Sequence, residues 1–72
     1  MANIEINLEN ILREKEISKN QICKNCNLQR TQLNNYCKNK VTRIDLTILA
    51  KLCVYLDCTP NDILILKQDE ND

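Results

Sequence analysis

Apolar residues recur at helical spacing along most of the chain. Leu8, Ile11 and Leu12 stand at i, i+3 and i+4 behind Asn7, a capping residue type, which predicts a first helix over residues 7–16. Ser18 with Gln21 three residues later forms an S-x-x-Q capping box, and Ile17 and Ile22 occupy the positions of a hydrophobic staple. The box opens a second helix over 18–25. Asn27 follows, and asparagine is the non-glycine residue that best tolerates a left-handed backbone, so the chain is expected to turn there. A third helix is predicted over 30–37, with Leu33, Tyr36 and Cys37 on a narrow apolar side and Thr31, Asn34, Asn35 and Lys38 opposite. Asn39 ends it in the role glycine usually plays. With no glycine in the chain, the tight turns are expected to fall to asparagine.

Leu49, Leu52, Cys53 and Leu56 give a core face to a fourth helix over 45–57. The run Thr59-Pro60-Asn61-Asp62 supplies a cap, a proline at the first helical position and an acid in the box position, opening a fifth helix over 60–67. Ile63, Leu64, Ile65 and Leu66 then follow without a break, and four consecutive apolar residues on a helix cannot share one face. The surplus is expected to meet a partner or the N-terminal segment. In that segment Ile4 and Ile6 alternate with Asn3 and Glu5, which reads as a short extended arm, though a single strand could not stand alone. The polar, acidic tail over 68–72 is expected to fray.

Seventy-two residues make one domain, near the lower size at which a core folds without staples. No run of about eighteen apolar residues could span a membrane. Nor is there a basic-then-apolar leader, so a cytoplasmic location with reduced thiols is expected. Histidine, glycine and tryptophan are absent. Without glycine there is no P-loop or G-x-G-x-x-G, and without histidine the commonest general base is missing. An enzyme is not expected, and no cofactor is called for.

The zero net charge hides a segregation. Between Ile17 and Ile44 lie six basic residues (Lys19, Lys24, Arg30, Lys38, Lys40 and Arg43) and no acidic one, whereas the flanks carry four basic against ten acidic residues. A middle of +6 between flanks summing to −6 suggests a nucleic-acid footprint. A solvated surface with chance clustering would look the same.

Five short helices, the second and third joined by a three-residue turn, resemble the helix-turn-helix arrangement. The segments ISKNQICKNCNLQRTQLNNYCKNK and TRIDLTILAKLCVYLDCTPNDIL resemble small transcriptional regulators of the Cro/C1 (Xre) type, over nearly the whole chain. The resemblance implies an all-α, five-helix, lambda-repressor-like DNA-binding domain spanning residues 1–72 with a short N-terminal extended arm. Helix three would be the recognition helix, and Cys23 the small residue of helix two that lets helix three pack closely. Gln29 departs from the family, where Ser or Thr usually caps that helix.

Independently of the family, a helix about 10–12 Å across fits a major groove about 12 Å wide. Arg30 suits guanine, Asn34 and Asn35 suit adenine, and Thr31 can pair with a base or touch a thymine methyl. Lys19 and Asn20 at the start of helix two are candidate phosphate contacts. Gln32 at the margin of helix three and Lys38, Lys40 and Arg43 after it complete that set. Each has a bland alternative: the amides simply solvated, Arg30 paired with a carboxylate.

Cys23 and Cys26 form a single C-x-x-C, and a structural zinc site needs four ligands. Without histidine or a second such pair, no metal is expected. Cys23, Cys26, Cys53 and Cys58 read as buried core thiols. Cys37, beside Lys38 and Lys40, is expected to be partly exposed, which opens a redox-sensing role.

Taken together, the chain reads as a sequence-specific double-stranded DNA-binding regulator, a repressor rather than an activator, working as a homodimer on a two-fold site. Ile63, Ile65 and Leu66 are the candidate dimer contacts. The alternative is a protein-interaction module on the same fold, binding a partner through helix three or the helix-five apolar patch.

Overall fold

The computed structural model describes residues 2–68, in the order β1 (Ala2–Ile6), α1 (Leu8–Glu14), α2 (Lys19–Cys26), α3 (Arg30–Cys37), α4 (Leu46–Leu56), α5 (Pro60–Ile63) and β2 (Leu64–Gln68). The fold is a five-helix helix-turn-helix unit carrying a two-stranded sheet, and so is not purely all-α.

The fifth helix is where the structure departs most from the sequence reading. It ends at Ile63 rather than at residue 67, and Leu64–Gln68 pairs antiparallel with Ala2–Ile6. A strand resolves what a helix could not. Leu64 and Leu66 take one face beside Ile6 and Ile4, while Ile65 turns to the other. Gln68, expected in a frayed tail, is paired with Ala2; the rest of that tail, residues 69–72, lies outside the described residues. The Asn7 N–H donates to the Ile63 carbonyl at 2.7 Å, so odd-numbered residues of β1 face β2 and even-numbered ones turn their backbone groups outward. At Ile6 those outward groups are taken by the Asn39 side chain, which accepts from the N–H and donates to the carbonyl.

The four longer helices all stop in the same way. After each, one residue turns left-handed: Glu16 (φ 55°), Asn27 (56°), Asn39 (58°) and Asp57 (53°). The next N–H reaches back five residues: Ile17 to Leu12, Leu28 to Cys23, Lys40 to Asn35 and Cys58 to Cys53, at 2.9–3.0 Å. These are the 6→1 bonds of the Schellman motif. Asparagine was expected to make the tight turns alone; Glu16 and Asp57 correct that, because the backbone bonds and the apolar residue that follows (Ile17, Cys58) override side-chain preference. The turns also set the helix ends, placing Glu14 rather than residue 16 at the end of α1 and Leu56 rather than residue 57 at the end of α4.

Helix starts follow the chemistry of their caps. The Ser18–Gln21 box is reciprocal, with bonds of 2.8 and 3.2 Å. Asp45 accepts from the N–H groups of Thr47 and Ile48 and so lies just outside α4. Asp62 accepts from the Thr59 N–H at 2.9 Å. Gln29 makes no side-chain cap bond, as its residue type suggested.

The core is built from Leu8, Ile22, Leu33, Leu52, Leu56 and Ile63, each at most 1% exposed, with the helical stripes closing round them. Two sequence expectations fail here. Ile63 is 0% exposed, so it is a core residue and not a dimer contact. Cys37 is 5% exposed instead of partly exposed, because it extends the Leu33–Tyr36 stripe inward. Of the four thiols read as buried, only Cys26 is; Cys23, Cys53 and Cys58 are half-buried.

Candidate nucleic-acid interface

The buried stripe of α3 fixes what the helix shows outside. With Leu33, Tyr36 and Cys37 inward, Thr31 and Lys38 stand exposed and Asn35 half-exposed, at i, i+4 and i+7 along the outer side. Arg30 is exposed, while Asn34 and Gln32 are half-buried at the flanks. Lys38, Lys40 and Arg43 are exposed in the segment that leaves the helix.

Two hydrogen bonds tie this surface to the start of α2. Arg30 donates from Nη1 to Asn20 Oδ1. Lys19 donates from Nζ to Asn34 Oδ1 at 3.3 Å. Each joins a residue read as a phosphate contact to one read as a base contact, so the two sets form one continuous surface across the turn. Arg30 thus has an amide partner, leaving most of its five guanidinium donors available. Asn34 has a second lone pair on its oxygen and both amide protons still to offer. The Asn35 side chain makes no hydrogen bond among the described residues and has its donor and acceptor both open.

Glu14, Asp57 and Asp62 line a crevice with Lys15, Asn7 and Cys58. Glu5 and Glu9 line another with Cys37 and Asn39, at the end of α3. Burial pushes the Cys26 and Cys37 thiols above the ordinary range. The nearby Lys19 favours the Cys37 thiolate, but burial outweighs it. The structural basis for a redox-sensing Cys37, an accessible thiol beside lysines, is therefore gone. Among the described residues, no group of three or more His, Cys, Asp or Glu is placed to hold a metal ion. No helix among them is long and apolar enough to cross a membrane.

The sequence reading missed Asn39 as the link between the ribbon and the end of α3, and the apolar groove beside it. That groove is lined by Ile4, Ile6, Val41, Ile44 and Leu64, with Arg43. The available signal was the alternation of Ile4 and Ile6 in one segment and Leu64 and Leu66 in another. Nothing local linked them.

Comparison with known proteins agrees with the geometry. A family described as the Cro/C1-type HTH DNA-binding domain matches residues 7–69. The crystal structure of the transcriptional regulator VanUg is similar in fold, with a TM-score of 0.74 at 22% identity, covering 94% of this chain and 89% of that one. No curated protein sequence matches the chain.

Proposed function

We propose, from the premise that this chain belongs to the Cro/C1-type helix-turn-helix DNA-binding family, that it is a sequence-specific transcriptional regulator inserting α3 into the major groove. The observation that carries the reading is the shared surface of α2 and α3. Arg30 and Asn34 are braced by Asn20 and Lys19, beside an Asn35 whose carboxamide is open. A braced side chain loses less rotamer freedom when it meets a base edge. Arg30, Thr31, Asn34 and Asn35 read bases in this proposal. Lys19, Asn20, Gln32, Lys38, Lys40 and Arg43 hold phosphates on either side.

A single recognition helix reads only a few base pairs, so two copies act on a two-fold site with half-sites about 34–36 Å apart or a multiple of that. Regulation by occupancy makes repression the simplest outcome, in the cytoplasm where the DNA lies.

Selection of binding sites from random duplexes tests this, with affinity for the selected site followed against salt. An enriched palindrome is expected, with a log–log salt slope of roughly −5 to −10 over two subunits. Weak, salt-sensitive binding without sequence enrichment would exclude base readout by α3.

A further inference from the structure

We propose that Cys53 and Cys58 are a peroxide-reactive dithiol that closes into a reversible disulfide across the turn between α4 and α5. The two residues occupy fixed stations of that turn. The Cys58 N–H donates to the Cys53 carbonyl at 3.0 Å and the Asp57 N–H to the Val54 carbonyl at 3.3 Å, which completes a Schellman motif. Standard bond lengths across the first of these bonds keep the two Cα atoms within about 7 Å, the limit for a disulfide. The motif also brings the side chains at these stations together. Here they are two thiols, and they are hydrogen-bond neighbours.

The same stations in the other turns show what is particular to this one. They hold Leu12 and Ile17 after α1, Cys23 and Leu28 after α2, and Asn35 and Lys40 after α3. In the first two, Leu12 and Leu28 are buried and the contact is ordinary apolar packing. After α4 both residues are thiols, and both are half-buried, so solvent reaches each. The C-x-x-C pair is different. Cys26 is buried, and its Sγ donates to the Lys51 carbonyl at 3.8 Å. That pair serves as the internal control.

The surroundings select the oxidant. Cys58 lines a crevice of about 280 Å³ in which Glu14, Asp57 and Asp62 outnumber the single cation, Lys15. The surplus of carboxylates repels an anionic oxidant such as glutathione disulfide and admits neutral hydrogen peroxide. Burial, the adjacent Cys53 and Asp62 push the Cys58 thiol above the ordinary range and keep it protonated, so Cys53 reacts first. Its thiolate attacks one peroxide oxygen and the O–O bond breaks, leaving a sulfenic acid on Cys53. The released hydroxide takes up the proton that Cys53 gave to solvent. The Cys58 sulfur then displaces the sulfenic hydroxyl to form the S–S bond, and the Cys58 proton leaves with that hydroxyl as water. The two thiols lose two electrons, and one peroxide becomes two waters. The closed turn gives a 72-residue core the staple it otherwise lacks. Neither thiol belongs to the α2–α3 surface, so the disulfide acts on stability and is independent of base readout.

Mild peroxide treatment of the full chain, followed by alkylation and tryptic mapping, is the test. Residues 52–67 leave as one peptide that holds Cys53 and Cys58 and no other thiol. That peptide is expected to lose two hydrogens on oxidation and to regain them with dithiothreitol, while Cys23, Cys26 and Cys37 remain open to alkylation after unfolding. The oxidised chain should also show a higher urea midpoint than the reduced one. Cys53→Ser and Cys58→Ser should each abolish both changes. Should a serine variant lose its fold, alanine replaces it, and the map of the native chain stands without either. A disulfide between Cys23 and Cys26 in place of this one would overturn the proposal. So would oxygen added to peptide 52–67 without loss of hydrogen, no reaction there at all, or an unchanged or lowered midpoint.

Discussion

The carboxamide of Asn39 holds both backbone polar groups of Ile6, its oxygen accepting the N–H and its nitrogen donating to the carbonyl at 3.2 Å. One side chain thereby stands in for a neighbouring strand and clamps the end of α3 to the ribbon. Replacing it with glycine keeps the left-handed turn but removes both bonds. Asn39→Gly should therefore lower stability by about 1 kcal/mol, each bond being worth about 0.5–1.5 kcal/mol net. Chemical denaturation measures this, and a stabilised variant would show that the clamp contributes nothing.

Glycine at the other helix ends should act in the opposite direction. Glu16 and Asp57 hold φ near 55° with no bond of the kind Asn39 makes. The left-handed backbone costs a non-glycine residue roughly 1–2 kcal/mol, and glycine returns about 0.5–1 kcal/mol of that in lost chain entropy. Glu16→Gly and Asp57→Gly are each expected to gain about 0.5–1 kcal/mol. A raised denaturant midpoint at unchanged slope is the signature.

Base and phosphate contacts separate by their dependence on sequence and salt. Asn35→Ala should cost about 1–3 kcal/mol of preference at one base pair per half-site while leaving nonspecific affinity alone. Lys40→Ala should weaken binding to every sequence and flatten the salt slope by about 1 for each phosphate it no longer neutralises. Titrations against the selected site and its single-base variants distinguish the two. Equal losses on all sequences for Asn35→Ala would remove it from the reading set.

The buried thiols predict a fall in stability on the alkaline side. Burial raises the folded pKa of Cys37 above its unfolded value, with Lys19 opposing and Glu9 adding to the shift. Below the ordinary thiol value of about 8.5 both states are protonated and the full stability is present. Above it the unfolded chain releases its proton while the folded chain keeps it, so stability declines as pH rises toward the raised value. Unfolding curves across that range should slope downward less in Cys37→Ala than in the native chain. Mild peroxide should leave DNA binding unchanged.

What could be read from sequence was what neighbouring residues decide. The Ser18–Gln21 box, the turn at Asn27, and the start and end of α3 all involve groups within five residues of one another. The inward and outward sides of α3 followed from the same spacing. The run Ile63–Leu66 fits a helix or a strand equally well, and the choice rests on β1, nearly the whole chain away. The left-handed turn at Asn39 was visible, but not its second use, because Ile6 lies 33 residues off. Cys37 was misread for a related reason: flanking lysines say what a thiol is near in sequence, and the packing of α3 decides whether water reaches it.

The ribbon also has a temporal meaning. β1 leaves the ribosome before all five helices and β2 after them. At about 5–20 residues per second, Ile4 and Ile6 wait roughly 3–12 s for their partners. The helical unit bearing Arg30 and Asn35 is thus fully translated before the ribbon can close. Translation of β2 supplies the partner that β1 lacks and so completes the ribbon to which Asn39 ties the end of α3.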